Sequence, residues 1–504
     1  MPLLSLPYDI LEKLLCCLNA RDVLVCGRVC KSIHDVVTTS LPVRYKIALA
    51  ARGMRDGRDR SASLVEKIEK LERYELAWRE LAWKESLRLE LPVPCRHVYK
   101  ADGYFLIVNP AAQSVSVIRL PSPLRGVSYQ EYNWDAPLGF FRGEGTVLMD
   151  LGNDLVTFLK PAVNSLDIVV DARSLSTGEI HPFAGDSTKF SISRSLGAQQ
   201  LRRDSDKWTT LRGRYIICGG DMPHVLADGV RIDCPKIHNW TTGHDVTPLL
   251  IDQVLYALTF LDDTHALCLV AIDQSIELWI ADLEYLDMEG RAVVTHIFQF
   301  SFAAGWKCYV RRVGSGADVG LPPPETQGRL GSPCYFEDDG WAAFNAVLLL
   351  QDENDSFHRL VAHIPFSVLR SFSGQTPEHP PTIIPYTSWS DANTLVEHSR
   401  SRFCFGSQGH LVCTVLGSQS FWHDYMNDNA VGQVVDIHPR RLAWLQDSRS
   451  RERTFNIPTR ASNPDHYLSH LESGDCIVVQ EHDGEDEADD EDGLVYAITV
   501  YSPA

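Results

Sequence analysis

The period of the apolar positions changes twice along the chain and divides it into three regions. In residues 1–45, Ile10, Leu11, Leu14, Leu15 and Leu18 recur at helical spacing, and Val23, Cys26, Val29, Cys30 and Ile33 continue on one face. Pro7 suits a first helical turn, where its missing N–H is not needed. Asn19 is a natural cap for a second helix, with Asp22 in its first turn. This region therefore predicts several short helices. Residues 46–91 predict longer helix: Ser63 and Glu66 have capping-box spacing, and Leu64, Ile68, Leu71, Trp78 and Leu81 form a stripe. Glu66 and Lys70 make a supporting pair one turn apart, and Trp78 and Trp83 are expected to cover the start of the third region.

From residue 92 onward the pattern is short strands divided by turns. Residues 255–261, 265–272 and 275–283 read as three strands, with Asp262-Asp263-Thr264 and Asp273-Gln274 as the turns between them. Similar units lie at 104–120, 155–170, 214–232, 343–363, 402–416 and 475–501. Turn signals at this density over residues 92–504 predict an all-β domain, either sandwich or propeller. About seven units favour a β-propeller of six to eight blades, although no repeat of fixed period is present. Residues 314–331 and 375–385 are rich in Gly and Pro and read as long loops. Glu481–Asp492 is an acidic run between two apolar strands and reads as a solvated hairpin tip.

Composition narrows the classes. No stretch approaches the ~18 apolar residues of a membrane span, and the first residues lack the basic-then-apolar pattern of a secretory leader. Thirteen scattered cysteines, several inside apolar runs, predict reduced thiols and a cytoplasmic or nuclear protein. The net charge is −19, and nine acidic residues of it fall in the run at 481–492. An acidic chain repels phosphate backbones, so no nucleic-acid partner is expected.

Residues 6–33 read L-P-Y-D-I-L-E-K-L-L-C-C-L-N-A-R-D-V-L-V-C-G-R-V-C-K-S-I. This string resembles the F-box of ubiquitin-ligase receptors. Leu6, Pro7, Asp9, Ile10, Leu14, Leu18, Asp22, Val23, Val29, Cys30 and Lys31 fall in register on the family pattern. Val23 stands where leucine is usual, and Ile33 where a bulky aromatic is usual; both are apolar exchanges that a core can repack. The A-R-G-M-R-D-G string at 51–57 and the E-L-A-W-R-E-L-A-W string at 75–83 look like the linker of the large fungal F-box families. Phe260-Leu-Asp-Asp263 and Ser176–Pro182 look similar to strand ends in their C-terminal domains.

The resemblance implies an F-box at 1–45, linker helices at 46–91 and a substrate-recognition domain at 92–504. It implies a Skp-type adaptor as partner, bridging to cullin and RING subunits, with a protein substrate held by the β-domain. Leu6, Pro7, Ile10, Leu14, Leu18, Val29 and Cys30 would contact the adaptor or form the motif's own core, two roles the letters leave open. A segment of about 40 residues buries little surface alone, which fits docking on a partner. The rival reading is a non-catalytic scaffold that uses the same helices to dock elsewhere.

Other candidate chemistry is weak. Cys26 and Cys30 lack further ligands at zinc spacing and fit the apolar pattern. The glycines at 314–320 run into Pro322–Pro324 and offer no helix start for a phosphate. His358 and His363 lie five apart in a strand-like stretch and face opposite sides. Neither H-E-x-x-H nor G-x-S-x-G is present; Gly406-Ser-Gln-Gly409 lacks the elbow spacing. The acidic run has the wrong spacing for a calcium loop. No cofactor, metal or catalytic residue is expected. Trp240, Trp389 and Trp422 lie beside turns and are expected to pack between blades more than to anchor a substrate.

Overall fold

The structure is a computed structural model. It describes residues 6–52, 54–57, 62–80, 83–95, 98–101, 103–109, 112–137, 146–161, 168–184, 189–192, 209–218, 236–248, 254–272, 275–288, 290–300, 307–315, 335–337, 343–351, 357–373, 381–385, 395–399, 411–416, 419–424, 431–436, 452–456, 467–472, 476–482 and 495–503. Among them, no helix is long and apolar enough to cross a membrane.

Four short helices open the chain: α1 (Tyr8–Cys17), α2 (Ala20–Cys26), α3 (Lys31–Thr39) and α4 (Leu41–Ala51). Pro7 is the N-cap of α1, one residue outside the first turn, and its extended backbone turns the chain into the helix. The Asn19 side chain caps α2 by accepting from the Asp22 N–H at 2.9 Å. Ser40 caps α4, and Pro42 follows in its first turn. Leu15, Val23, Ile33, Val36, Val37 and Val43 form one small core, with Cys16, Leu18, Cys26, Cys30 and Ile47 packed against it.

The linker helix α5 (Leu64–Glu80) starts with the expected capping box: the Ser63 N–H donates to Glu66 at 2.7 Å, and the Glu66 N–H donates to the Ser63 hydroxyl at 3.3 Å. Ile68, Leu71, Tyr74 and Ala77 are its buried stripe. Residues 83–91, expected to continue the helical linker, instead belong to a strand, Trp83–Cys95. Leu87, Leu89 and Leu91 alternate with Arg88 and Glu90, a period of two that a helix cannot place on one face.

Seven four-stranded antiparallel units follow among the described residues. Sheet 1 comprises Val98–Ala101, Tyr104–Asn109, Ser114–Arg119 and Gln130–Asp135; sheet 2 comprises Thr146–Asp150, Leu155–Pro161, Ile168–Ser174 and Lys189–Ile192. Sheet 3 has Thr210–Arg212, Tyr215–Cys218, Lys236–Asn239 and His244–Pro248; sheet 4 has Val254–Phe260, His265–Ile272, Ser275–Leu286 and Arg291–Phe300. A short parallel pairing of Thr247–Pro248 with Arg291–Ala292 joins sheets 3 and 4 at one edge. Sheet 5 has Lys307–Ser315, Ala343–Gln351, Phe357–Pro365 and Leu395–Ser399; sheet 6 has Leu411–Leu416, Gln419–Asp424, Val431–Asp436 and Glu452–Asn456. Sheet 7 takes Tyr467–Glu472, Cys476–His482 and Val495–Pro503 from the end of the chain, and its fourth strand is Trp83–Cys95, antiparallel to Val495–Pro503.

Sheets 1 to 6 are up-and-down meanders, sheet 7 is a three-stranded meander closed by the strand from residues 83–95, and the first strands of sheets 1 and 2, 2 and 3, 4 and 5, 5 and 6, and 6 and 7 are neighbours. This is the organisation of β-propeller blades. Faces pack in turn. Leu106, Val108 and Val117 of sheet 1 meet Val147, Val156 and Phe158 of sheet 2. Phe105, Ile107 and Ile118 on the opposite face of sheet 1 meet Ile498 and Val500 of sheet 7. Sheets 3 and 4 share a core through Tyr215, Ile217, Leu258, Cys268 and Trp279. Sheets 1 and 2 are also stapled by Trp134, whose indole donates to the Leu175 carbonyl at 3.1 Å. Gly178, at φ +72°, lies under that indole, and any Cβ there would come within 2.5 Å of the ring.

An insertion in sheet 5 grips sheet 4. Helix α6 (Phe366–Ser373) sets Phe372 against His296 and Phe298, and Arg370 donates to the Leu261 carbonyl at 3.1 Å. Thr382–Ile384, inside a tract expected to be loop, then pairs in parallel with His296–Phe298. Its β-branched Thr-Ile-Ile core between prolines suits a short edge strand. Gly314 and Ser315, likewise expected in a loop, end the first strand of sheet 5. Residues 316–331, Trp389, residues 406–409 and residues 483–492 lie outside the described residues. The strands flanking the acidic run do pair as a hairpin, with Ile477 opposite Tyr501.

Candidate docking surface at the amino end

Two apolar stripes run along α1, one residue out of phase. Leu11 and Leu15 point inward and are buried, whereas Ile10 and Leu14 face solvent. The choice is made by α3 and α4, which pack on the first stripe. Three polar contacts fix that orientation. The Ser40 hydroxyl donates to Glu12 at 2.7 Å, Lys46 donates to the Cys16 carbonyl at the C-terminus of α1, and Tyr8 shares a hydrogen bond with Thr39 at 3.3 Å. A cation at a helix C-terminus also meets the favourable end of its dipole.

The seven residues nominated from sequence therefore separate. Ile10, Leu14 and Val29 are exposed, Val29 at 70%. Pro7 is exposed at the cap and Leu6 half-buried. Leu18 and Cys30 are half-buried and pack on the internal core. Sequence reading missed Tyr8, Leu24 and Val25, which are also exposed. Leu24 and Val25 continue the Val23 run, so period alone gave no reason to split them. A unit this small that leaves seven large apolar residues in water among its described residues, with Leu14, Leu24 and Val29 among them, has a surface suited to docking. Burial, with the Glu12 charge adding, pushes the Cys16 thiol up.

A charged clasp ties this unit to the linker. Asp56 accepts from the Tyr45 hydroxyl at 2.9 Å and from the Lys67 ammonium at 2.8 Å. Lys67 is buried, lies 5.9 Å from the Tyr45 ring centroid and also donates to the Gly57 carbonyl. Arg52 pairs with Glu75 on α5. The strand that carries Asp56, Met54–Asp56, pairs with Tyr335–Glu337 from the β-rich region.

Among the described residues of the β-rich region, a dense polar site is the turn after the first strand of sheet 4. Asp262 accepts from the Thr264 and His265 backbone N–H groups and from the His265 ring at 2.9 Å. Burial alone would raise the Asp262 carboxyl, but the His265 bond and charge outweigh it and hold it at about 2. Burial would lower His265, but Asp262 and then Asp282 hold it above its ordinary value. These bonds serve the turn. Trp240 is buried and donates to the Gly213 carbonyl at 2.9 Å, in keeping with a packing role. Trp422 lies in a strand of sheet 6. Among the described residues no group of three or more His, Cys, Asp or Glu is placed to hold a metal.

The F-box domain family model matches residues 3–44. No curated protein matches the chain. Among solved structures, the WD40 domain of coronin from Toxoplasma gondii is similar over 84% of this chain and 85% of its own, at 9% identity and a TM-score of 0.34. The Dos1 propeller is similar over 81% and 78%, at 10% identity and a TM-score of 0.33. Hydrazine synthase of Kuenenia stuttgartiensis is similar over 78% and 94%, at 10% identity and a TM-score of 0.32. The propeller-like architecture rests on the sheet topology and not on these likenesses. The chain thus carries an F-box domain at its amino end, followed by a β-rich, propeller-like region.

Proposed function

We propose that the chain is the substrate-receptor subunit of an SCF-type cullin-RING ubiquitin ligase. The F-box docks on a Skp-type adaptor, and the β-rich region holds a protein substrate. The observation that carries this reading is the F-box match over residues 3–44 together with the apolar side chains that segment leaves in water. Docking would bury the apolar surface that Ile10, Leu14, Leu24, Val25 and Val29 still expose, at roughly 25 cal/mol per Å² removed from water. Leu6, Pro7 and Tyr8 would line the edge of that contact, while Leu18 and Cys30 support it from the core side.

The chain itself performs no chemistry in this reading. Its contribution is proximity: substrate lysines are held at high effective concentration beside the conjugating enzyme. Assembly places it in the cytoplasm or nucleus, where the adaptor and cullin work. The test is capture of the purified full-length chain by immobilised Skp-type adaptor. Wild type is retained, and Leu14→Asp with Val29→Asp is not, while both keep the same melting temperature. A wild-type chain that elutes apart from the adaptor, or a double variant retained as well as wild type, overturns the reading.

A further inference from the structure

Lysine and arginine are distributed differently along the chain. Residues 1–236 hold eleven lysines and twenty-one arginines, whereas residues 237–504 hold one lysine, Lys307, and fourteen arginines. No lysine occurs in residues 308–504, a stretch of 197 residues. A general scarcity of lysine would thin both parts alike. In the second part positive charge is kept, and the guanidinium carries it.

That part is contiguous in the fold. It supplies sheets 4, 5 and 6 and three strands of sheet 7. Lys307 opens the first strand of sheet 5, and Lys84 enters sheet 7 on the strand Trp83–Cys95. Sheets 1 to 3 carry Lys100, Lys160, Lys189 and Lys236. The F-box unit is tied to the lysine-poor side. Met54–Asp56 pairs with Tyr335–Glu337, which lies between the first two strands of sheet 5, and α5 touches the last strand of sheet 7.

The two basic side chains differ in what they can do to activated ubiquitin. A neutral lysine Nζ attacks the thioester carbonyl that joins the carboxyl end of ubiquitin to a cysteine of the conjugating enzyme. A C–N isopeptide bond forms, the C–S bond breaks, the cysteine leaves as thiolate, and the amine gives up its proton to water. Arginine supplies the same charge, but its guanidinium stays protonated and has no lone pair to offer. A receptor held in the ligase presents its own lysines at an effective concentration comparable with that of its client's.

We propose that sheets 4 to 7 form the side of the receptor turned towards the ubiquitin-charged conjugating enzyme. Arginine in place of lysine on that side spares the receptor while its client is modified. The assignment rests on the receptor reading.

The full-length chain is assembled with adaptor, cullin and RING subunits, then incubated with activating and conjugating enzymes, ubiquitin and ATP. Two variants are compared with wild type. Arg359→Lys with Arg453→Lys places lysines in strands of sheets 5 and 6, and Arg402→Lys with Arg449→Lys places them in the segments preceding the first and last strands of sheet 6. Ubiquitin is located by mass spectrometry of the remnant that trypsin leaves on each modified lysine. New lysines are modified about threefold more than the most modified of Lys100, Lys160, Lys189 and Lys236 on the same molecules, while melting temperature stays at the wild-type value. New lysines that stay bare in both variants overturn the assignment. So does occupancy no higher than that of the sheet 1 to 3 lysines, which would mean that the composition carries no orientation. Adaptor capture is measured on the same samples. A chain that fails to assemble removes the receptor reading and this assignment with it, whereas an assembled complex with bare new lysines removes only this assignment.

Discussion

Residues 104–108 of sheet 1 and residues 10–15 of α1 are both apolar-rich runs, yet they meet water differently. In sheet 1 all five residues are buried, because one set faces sheet 2 and the alternate set faces sheet 7. In α1, Leu11 and Leu15 are buried within the F-box, Leu15 in its core, while Ile10 and Leu14 are exposed. A strand between two sheets has two covered faces; a helix at the rim of a small unit has one. The difference teaches that an uncovered stripe in the F-box is surplus to folding, whereas no residue of the sheet 1 run is.

Substitutions can break or sharpen that contrast. Phe158→Ala, between sheets 1 and 2, is expected to cost about 3–5 kcal/mol and to lower the β-domain's melting temperature without affecting adaptor capture. Leu15→Ala is expected to cost about 2–5 kcal/mol, read as loss of F-box helicity by circular dichroism; Leu14→Ala leaves the helicity unchanged. Equal losses from Leu14 and Leu15 would erase the distinction between the two stripes.

Asp56→Ala leaves the buried Lys67 ammonium without its carboxylate and is expected to cost about 1–3 kcal/mol. Hydrogen exchange should rise first in the amides of residues 54–57 and α5. Asn19→Ala removes the α2 cap at about 1 kcal/mol, seen as a lower urea midpoint for the F-box. The smallest effect is that of pH on sheet 4. His265 lies above the ordinary 6.5, so its contribution is complete below pH 6.5 and is lost as pH rises through the folded value. Asp262 lies at about 2 instead of 3.8, so its contribution is complete above pH 3.8 and is lost as pH falls towards 2. Stability from this pair is therefore greatest between these limits, and His265→Gln should flatten the alkaline side of a melting-temperature profile.

Local signals carried the helices well. Asn19, Ser63 and Glu66 cap where their chemistry requires, because a cap depends only on its nearest backbone. The strands 254–260, 265–272 and 275–286 follow from alternation and the Asp-rich turns between them. The letters concealed whatever was non-local. Trp83–Cys95 carries lysine, arginine and glutamate that suit a helix, and only its partner at 495–503 makes it a strand. Likewise Ile10/Leu14 and Leu11/Leu15 have identical spacing, so the inward stripe is chosen by α3 and α4 and not by α1 itself. Leu24 and Val25 went unseen for the same reason: a continuous apolar run does not say which side will be covered.

Sheet 7 couples the two ends of the chain, and that sets a timetable for biosynthesis. Trp83–Cys95 leaves the ribosome about 400 residues ahead of its partner Val495–Pro503, an interval of about 20–80 s at ordinary elongation rates. The F-box helices, which share a core of their own, can form throughout that interval, while the strand beside them waits with an unpaired edge. A chain that stops short of residue 495 would thus retain the F-box and lack the strand that completes the last sheet.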